Sequence, residues 1–158
     1  MTHASIQTVV SAADLALNRR DRAPGIGSDS TNISKAMGLT QLGASYFEVK
    51  PGESAFPLHV HYQEGEIIII LSGTGSYRFG GESHAVKAGD VLSAPAGRAE
   101  LAHQLTNSGS ETLTYVCVSS LPEINVVELP ELGVVRIHSR KPGGPASMEL
   151  KTPVAPTI

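Results

Sequence analysis

The chain has no tryptophan, three phenylalanines, four tyrosines and a single cysteine, Cys117. A lone cysteine excludes an intrachain disulfide and fits a reducing compartment, so a cytoplasmic location is expected. It also excludes the cysteine-rich sets that close structural zinc sites. Neither sign of charge dominates: 12 basic residues face 15 acidic ones, a formal net of −3. Without a basic stripe, no nucleic acid or anionic membrane surface is expected as a partner. Long hydrophobic runs are missing too. The longest, Ile67 to Leu71, suits one buried strand, and the N-terminus lacks a basic-then-apolar leader pattern. What remains is 158 residues, 41% apolar and 17% charged, the profile of one ordinary folded domain.

Three zones follow along the chain. Residues 1–38 form an arm in which 11–20 suit a short helix, capped by Ser11 with Leu15 and Leu17 as apolar contacts. The stretch 22–30, with its Pro24-Gly25, suits a loop. From 39 to 138 the pattern changes to short β-rich runs punctuated by glycine and proline. Strands are expected near 41–49, 58–61, 66–71, 74–79, 83–87, 91–94, 100–106, 112–118, 124–128 and 133–137. Many short strands with regular turn signals and no alternating helices predict an all-β sandwich or barrel. Residues 139–158, rich in proline and glycine, suit a loose tail.

The chemistry centres on His59-Val60-His61. Side chains two apart on a strand share a face, so both imidazoles can meet one ion while Val60 turns away. Glu66 follows five residues after His61 and opens the apolar run 67–71. A carboxylate buried there is costly unless something offsets its charge, which a metal does; the alternative places it at a wet rim. His103, in a strand over 100–106, is the fourth candidate. Three imidazoles and a carboxylate suit one divalent transition metal, Mn, Fe, Ni, Co or Zn, better than Mg or Ca.

These residues sit in a larger pattern. Gly52, His59, His61, Glu66 and Gly73, then Gly89, Pro95, Gly97, His103 and Asn107, fall in an order and spacing that resemble the two motifs of the cupins. The resemblance covers roughly 39–128 and extends to a Pro-Glu-Ile-Asn-Val-Val continuation at 122–127. It implies a cupin jelly-roll β-barrel, here with an N-terminal arm, and carries the usual ligand set onto His59, His61, Glu66 and His103. Two departures stand out. One extra residue separates Gly52 from His59. In the second motif the usual histidine position holds Glu100, with His103 three residues later. Either Glu100 replaces the histidine or a loop displaces it. Chemical type and the spacing to Asn107 favour His103.

Other residues have plainer readings. Glu64 competes with Glu66 as a ligand, and the spacing to Gly73 favours Glu66. His3, His84 and His138 lie outside both motifs and suit the surface. Cys117 suits a buried small side chain, or a pocket wall if 113, 115 and 117 face inward. Strand parity would line the barrel with Ile68, Ile70, Leu101 and Leu105, plus Tyr115 or Val116. Ile67, Ile69 and Leu71 then face outward, to be covered by the arm or by the second subunit of a homodimer.

Three function classes fit. The first is a metal-dependent enzyme acting on a small oxygen-rich molecule, of sugar-phosphate isomerase or dioxygenase type. In it Arg78, Arg98 and Arg136 are candidate phosphate anchors, and Tyr46, Glu48, Glu100 and Tyr115 candidate bases. The second is a non-catalytic small-molecule binder or sensor. The third is a barrel with a purely structural metal.

Overall fold

The structure, a computed structural model, describes residues 6–143 and 147–152. Among them are thirteen strands, numbered in chain order, and helical backbone is confined to three single 3-10 turns. One sheet joins β1 (Asn18–Ala23), β2 (Ile26–Asn32), β3 (Leu42–Val49), β10 (Leu113–Ser120), β5 (Glu66–Ser72) and β8 (Val91–Ala94), in that spatial order. A second runs β13 (Ser147–Lys151), β12 (Val134–Ser139), β11 (Ile124–Leu129), β4 (Val60–His61). A third runs β7 (Glu82–Lys87), β6 (Thr74–Phe79), β9 (His103–Thr106). An antiparallel bridge between His59 and His103 links the second to the third, so the two act as one layer against the first. The result is the all-β fold that the strand pattern predicts, in the jelly-roll form that the cupin resemblance implies.

The core lies between the layers. Phe47 and Val49 from β3, Ile68 and Ile70 from β5, Tyr77 from β6, Leu92 from β8, Leu105 from β9, and Leu113 and Tyr115 from β10 form one cluster. Each large apolar side chain buried this way contributes about 1.5–3 kcal/mol. Alternation sets the rest. In β5 the inward set is Glu66, Ile68 and Ile70, paired across β10 with Ser119, Cys117 and Tyr115. Ile67 and Leu71 point outward and stay exposed at 45% and 48%, beside Val91 at 63%. The described residues of the arm leave these three uncovered. Gly73, joining β5 to β6 at φ +83°, sits where a Cβ would meet the Thr112 carbonyl oxygen at 2.7 Å, so only glycine fits.

Several sequence expectations need correction. The helix over 11–20 is one 3-10 turn, Ala12–Asp14, followed by β1. The segment has too few apolar residues to pay for helix formation against a core. It gains instead by pairing with β2, and Arg19 there meets Asp21, Asp29 and Glu53. The loop over 22–30 is the tip of this hairpin and most of β2. Its turn is Ala23-Pro24-Gly25-Ile26, with Gly25 at φ +73°, the arrangement that Pro-Gly favours. In the C-terminal stretch, 147–151 pairs with β12, while Pro145, Pro153 and Pro156 lie outside the described residues, as does His3. The expected strand over 100–106 begins only at His103, after a 3-10 turn at Ala99–Leu101. Leu101 therefore leaves the barrel interior and packs with Leu58, Val60 and Ala102 on the far side of β4.

Candidate metal centre

Two backbone relationships bring the histidines together. Val60 is fully buried on one side of its strand, which turns His59 and His61 to the other. His59 and His103 exchange both main-chain hydrogen bonds, at 3.1 and 2.8 Å. Residues opposite each other in such an antiparallel pair carry their side chains on the same face, and the two rings lie 4.4 Å apart between centroids. The His59 and His61 rings are 5.0 Å apart. From the opposing sheet, the first residue of β5 brings Glu66: its Oε2 is 3.5 Å from His61 Nε2 and 3.3 Å from His103 Nε2. The ligand atoms of His59, His61 and Glu66 all lie within 4.8 Å of one another, close enough to hold a metal ion. His103 lies beside this trio rather than inside the same mutual limit.

The donor chemistry fits a cation. His59 Nδ1–H donates to the Pro57 carbonyl at 2.8 Å, which leaves Nε2 with its lone pair free. Burial, then the positive fields of His103 and His61, lower the His59 pKa to about 3, so the ring is a neutral donor at ordinary pH. For Glu66 burial acts upward, but the close approach of His103 and the fields of the histidines outweigh it and hold the group at about 2. His103 is 3% exposed, and neither of its ring nitrogens has a hydrogen-bond partner. Its Nε2 is near Glu66 but misaligned for hydrogen bonding. A buried imidazole with both nitrogens unsatisfied costs about 1–3 kcal/mol, and a metal on Nε2 would offset that cost.

The competing ligands sit elsewhere. Glu100 is exposed on the 3-10 turn before β9. Glu64 is buried, but its Oε2 accepts from Asn125 Nδ2 at 2.8 Å and from Arg140 at 3.0 Å. Asn125 Nδ2 also lies 2.8 Å from His61 Nδ1, so this amide links the second carboxylate to a site histidine. Cys117 lines the cavity, and its thiol points at Glu66 Oε1 at 3.5 Å; burial, with Glu66 adding to it, pushes the thiol pKa up.

The site opens into a cavity of about 500 Å³ between the layers, walled by Phe47, Phe56, Ile68, Leu105 and Tyr115. Of the candidate bases only Tyr115 lines it; its pKa is raised by burial, and its ring stacks on Phe47 at 4.9 Å. Tyr46 instead donates to Glu48 at 3.2 Å, away from the cavity. Of the candidate phosphate anchors, Arg78 pairs with Glu131 at 2.7 Å and Arg98 lies over Tyr62, both outside the cavity. Arg136 lines it while pairing with Glu149 at 3.0 Å. The sequence reading missed Arg22, Asn125, Arg140 and the inward position of His138, all of which line the cavity. For Asn125 a signal existed: a lone amide amid Ile124, Val126 and Val127 is a buried polar group in need of partners.

Comparison with known proteins agrees with this architecture. The family model of the Cupin domain matches residues 45–119, which include all four candidate ligands. An oxalate-binding protein of Thermotoga maritima is 35% identical over 68 residues, 43% of this chain and 54% of that protein, so the match spans about half the curated relative's length. Among solved structures, a protein of Acidithiobacillus ferrooxidans, named provisionally as a sugar phosphate isomerase, superposes with a TM-score of 0.80 at 21% identity. That match covers 95% of this chain and 96% of the other, and at this identity it speaks to the fold. A Thermotoga maritima protein, named by prediction as an oxalate decarboxylase, superposes with a TM-score of 0.63 at 27% identity, over 73% of this chain and 100% of the other.

Proposed function

With residues 45–119 forming a cupin domain, we propose that this chain is a metal-dependent enzyme acting on a small oxygen-rich molecule, of isomerase or dioxygenase type. It holds one divalent transition metal, Mn, Fe, Ni, Co or Zn, through His59, His61, Glu66 and His103. The observation that carries this reading is His103: a nearly fully buried imidazole with two unpartnered nitrogens, beside a partly buried carboxylate and two further imidazoles. Four protein donors leave room in a six-coordinate shell for a ligand offering two oxygens, and a metal bound there supplies Lewis-acid activation of a carbonyl or hydroxyl. The protein's share is to hold the donors in place. Pro57 fixes the ring of His59, Asn125 braces His61, and the Phe47, Ile68 and Leu105 walls exclude water.

A second reading, a binder or sensor without turnover, is favoured by one feature. Tyr77 gives its hydroxyl to the Ser93 carbonyl at 2.8 Å and Glu64 is taken by Arg140, so few groups near the metal are left to move protons. The oxalate-binding relative points the same way. The exposed Ile67, Leu71 and Val91 also support a homodimer through the outer face of the first sheet. The test of the main reading is elemental analysis of the purified chain. About one transition metal per chain is expected. None at purification and none after reconstitution with each of the five metals would refute it. A bound metal that exchanges no inner-shell water, seen by relaxation of the solvent signal in the Mn-loaded protein, would favour the binder.

A further inference from the structure

We propose that Arg22, carried at the end of β1 on the N-terminal hairpin, anchors an anionic group, carboxylate or phosphate, of the ligand whose oxygens occupy the metal centre. This inference rests on the metal reading above and adds the charge of the substrate to it.

Three other arginines provide the contrast. Arg19 is held by three carboxylates, Arg136 by Glu149 and Arg140 by Glu64. Arg22 lines the same cavity as the metal residues, yet among the described residues no carboxylate lies within ion-pair distance of it. Its hydrogen bonds run from Nη1 to main-chain carbonyls, Ala55 at 3.0 Å and Arg20 at 3.4 Å. The Nε and Nη2 edge is left for another partner. The guanidinium is held in place by the Phe56 ring, whose centroid is 4.3 Å from Cζ. Phe56 is itself fixed edge-on against Phe47 at 5.6 Å.

Position makes this edge a ligand contact. Phe56 also stands 5.6 Å from the His59 ring, so one aromatic ring separates the guanidinium from the metal centre. One small molecule can span both. The local electrostatics lean the same way: burial, then Arg20 and, more weakly, Arg136, lower the Arg22 pKa, so the charged form lacks an anion. Arg22 is exposed where it lines the cavity, and a fork of N–H donors at that edge binds carboxylate or phosphate far better than a neutral hydroxyl. Arg22 lies outside the matched segment 45–119. The charge preference therefore comes from the hairpin, which makes Arg22 a specificity residue of this chain.

The test uses the full chain loaded with Co(II), whose visible absorption band reports ligands entering the metal shell, together with calorimetry. Two matched pairs serve as probes: 2-oxoglutarate against 2-oxobutyrate, and 3-phosphoglycerate against glycerate. Each pair shares its chelating oxygens and differs in a distal anion, carboxylate in the first and phosphate in the second. Wild type is expected to bind at least one charged-tail compound about tenfold more tightly than its partner, and Arg22→Met to remove that preference while leaving the partner's affinity within about twofold. Whichever pair shows the preference identifies the anion. No preference in either pair, or a preference that survives both Arg22→Met and Arg22→Gln, overturns the proposal. An Arg22-dependent preference with an unresponsive cobalt band would overturn the ligand's contact with the metal while leaving metal binding intact, and failure to take up any of the five metals would overturn both readings.

Discussion

Replacing His103 with leucine separates a metal ligand from an ordinary core histidine, because the two roles predict opposite changes. His103 is 3% exposed, and neither of its ring nitrogens has a protein partner. Leucine has similar bulk and no polar atoms, so it removes a desolvation cost of about 1–3 kcal/mol. Against this stands the lost approach to Glu66 at 3.3 Å, softened because His61 remains 3.5 Å from the same oxygen. The metal-free variant should therefore melt at or above the wild-type temperature. With metal the order reverses. A site at a free metal concentration a hundred times its Kd stabilises wild type by about 2.7 kcal/mol, or roughly 5–10 °C in a domain of this size. The variant, with one donor gone, should show less than a quarter of that shift. Glu100→Ala, at an exposed turn residue, should behave as wild type in both states. Differential scanning fluorimetry with and without Mn, Co and Zn reads all of these. A variant destabilised by more than about 2 kcal/mol without metal that keeps its full metal shift would make His103 a structural residue and refute the reasoning.

Three further outcomes are expected. The pKa values of His59 and Glu66 are both depressed in the fold, to about 3 and about 2, so the unfolded chain binds more protons than the native one below about pH 6.5. Stability of the metal-free protein should be full above that pH and decline as pH falls toward 3, by up to about 1.4 kcal/mol per unit where His59 alone is titrating. Urea unfolding at pH 7, 6 and 5 checks this, and a flat profile contradicts it. Asn125→Ala removes the amide that donates to Glu64 and lies against His61 Nδ1, leaving the His61 ring free to turn, and should weaken metal affinity about 10–100-fold in chelator competition; an unchanged affinity would mean the amide does not orient the ring. Ile67→Lys with Leu71→Lys should convert a dimer to a monomer in light scattering, and a wild-type chain already monomeric at micromolar concentration rules the interface out.

The sequence carried the parts of this structure whose signals are local and periodic. His59 and His61 share a face because parity on a strand requires it, and Glu66 opens an inward-facing set because the next residues alternate. The same rule failed at Leu101. Parity holds only within a continuous strand, and 99–101 is a 3-10 turn that resets the phase, so Leu101 follows Val60 instead of Leu105. β1 was hidden for a different reason. Its residues Asn18, Arg19, Arg20, Asp21 and Arg22 show no apolar alternation, because the strand lies at the sheet edge and is held by ladder bonds and charge pairs. The Pro24-Gly25 pair was the only local trace of the hairpin, and it suits a loop equally well.

The two carboxylates around Gly65 show how the fold decides what a glutamate does. Glu64 and Glu66 are two residues apart, both turned away from bulk water, and differ in what the topology sets against them. Glu64 precedes β5, and Asn125 of β11 and Arg140, just past β12, reach it from the second sheet, so its charge is met by a protein cation. Glu66 is the first residue of β5 itself, fixed between Ser119 on β10 and Ala94 on β8, and it faces three histidines carried by β4, its approach and β9. No arginine or lysine pairs with it among the described residues. Burial holds His59 neutral, so that ring offers the carboxylate a lone pair rather than a charge. A divalent ion satisfies both groups, because it takes the lone pair of the neutral ring and charge from the carboxylate. It would also tie the two layers together at the polar end of the barrel, since Glu66 comes from one layer and the histidines from the other.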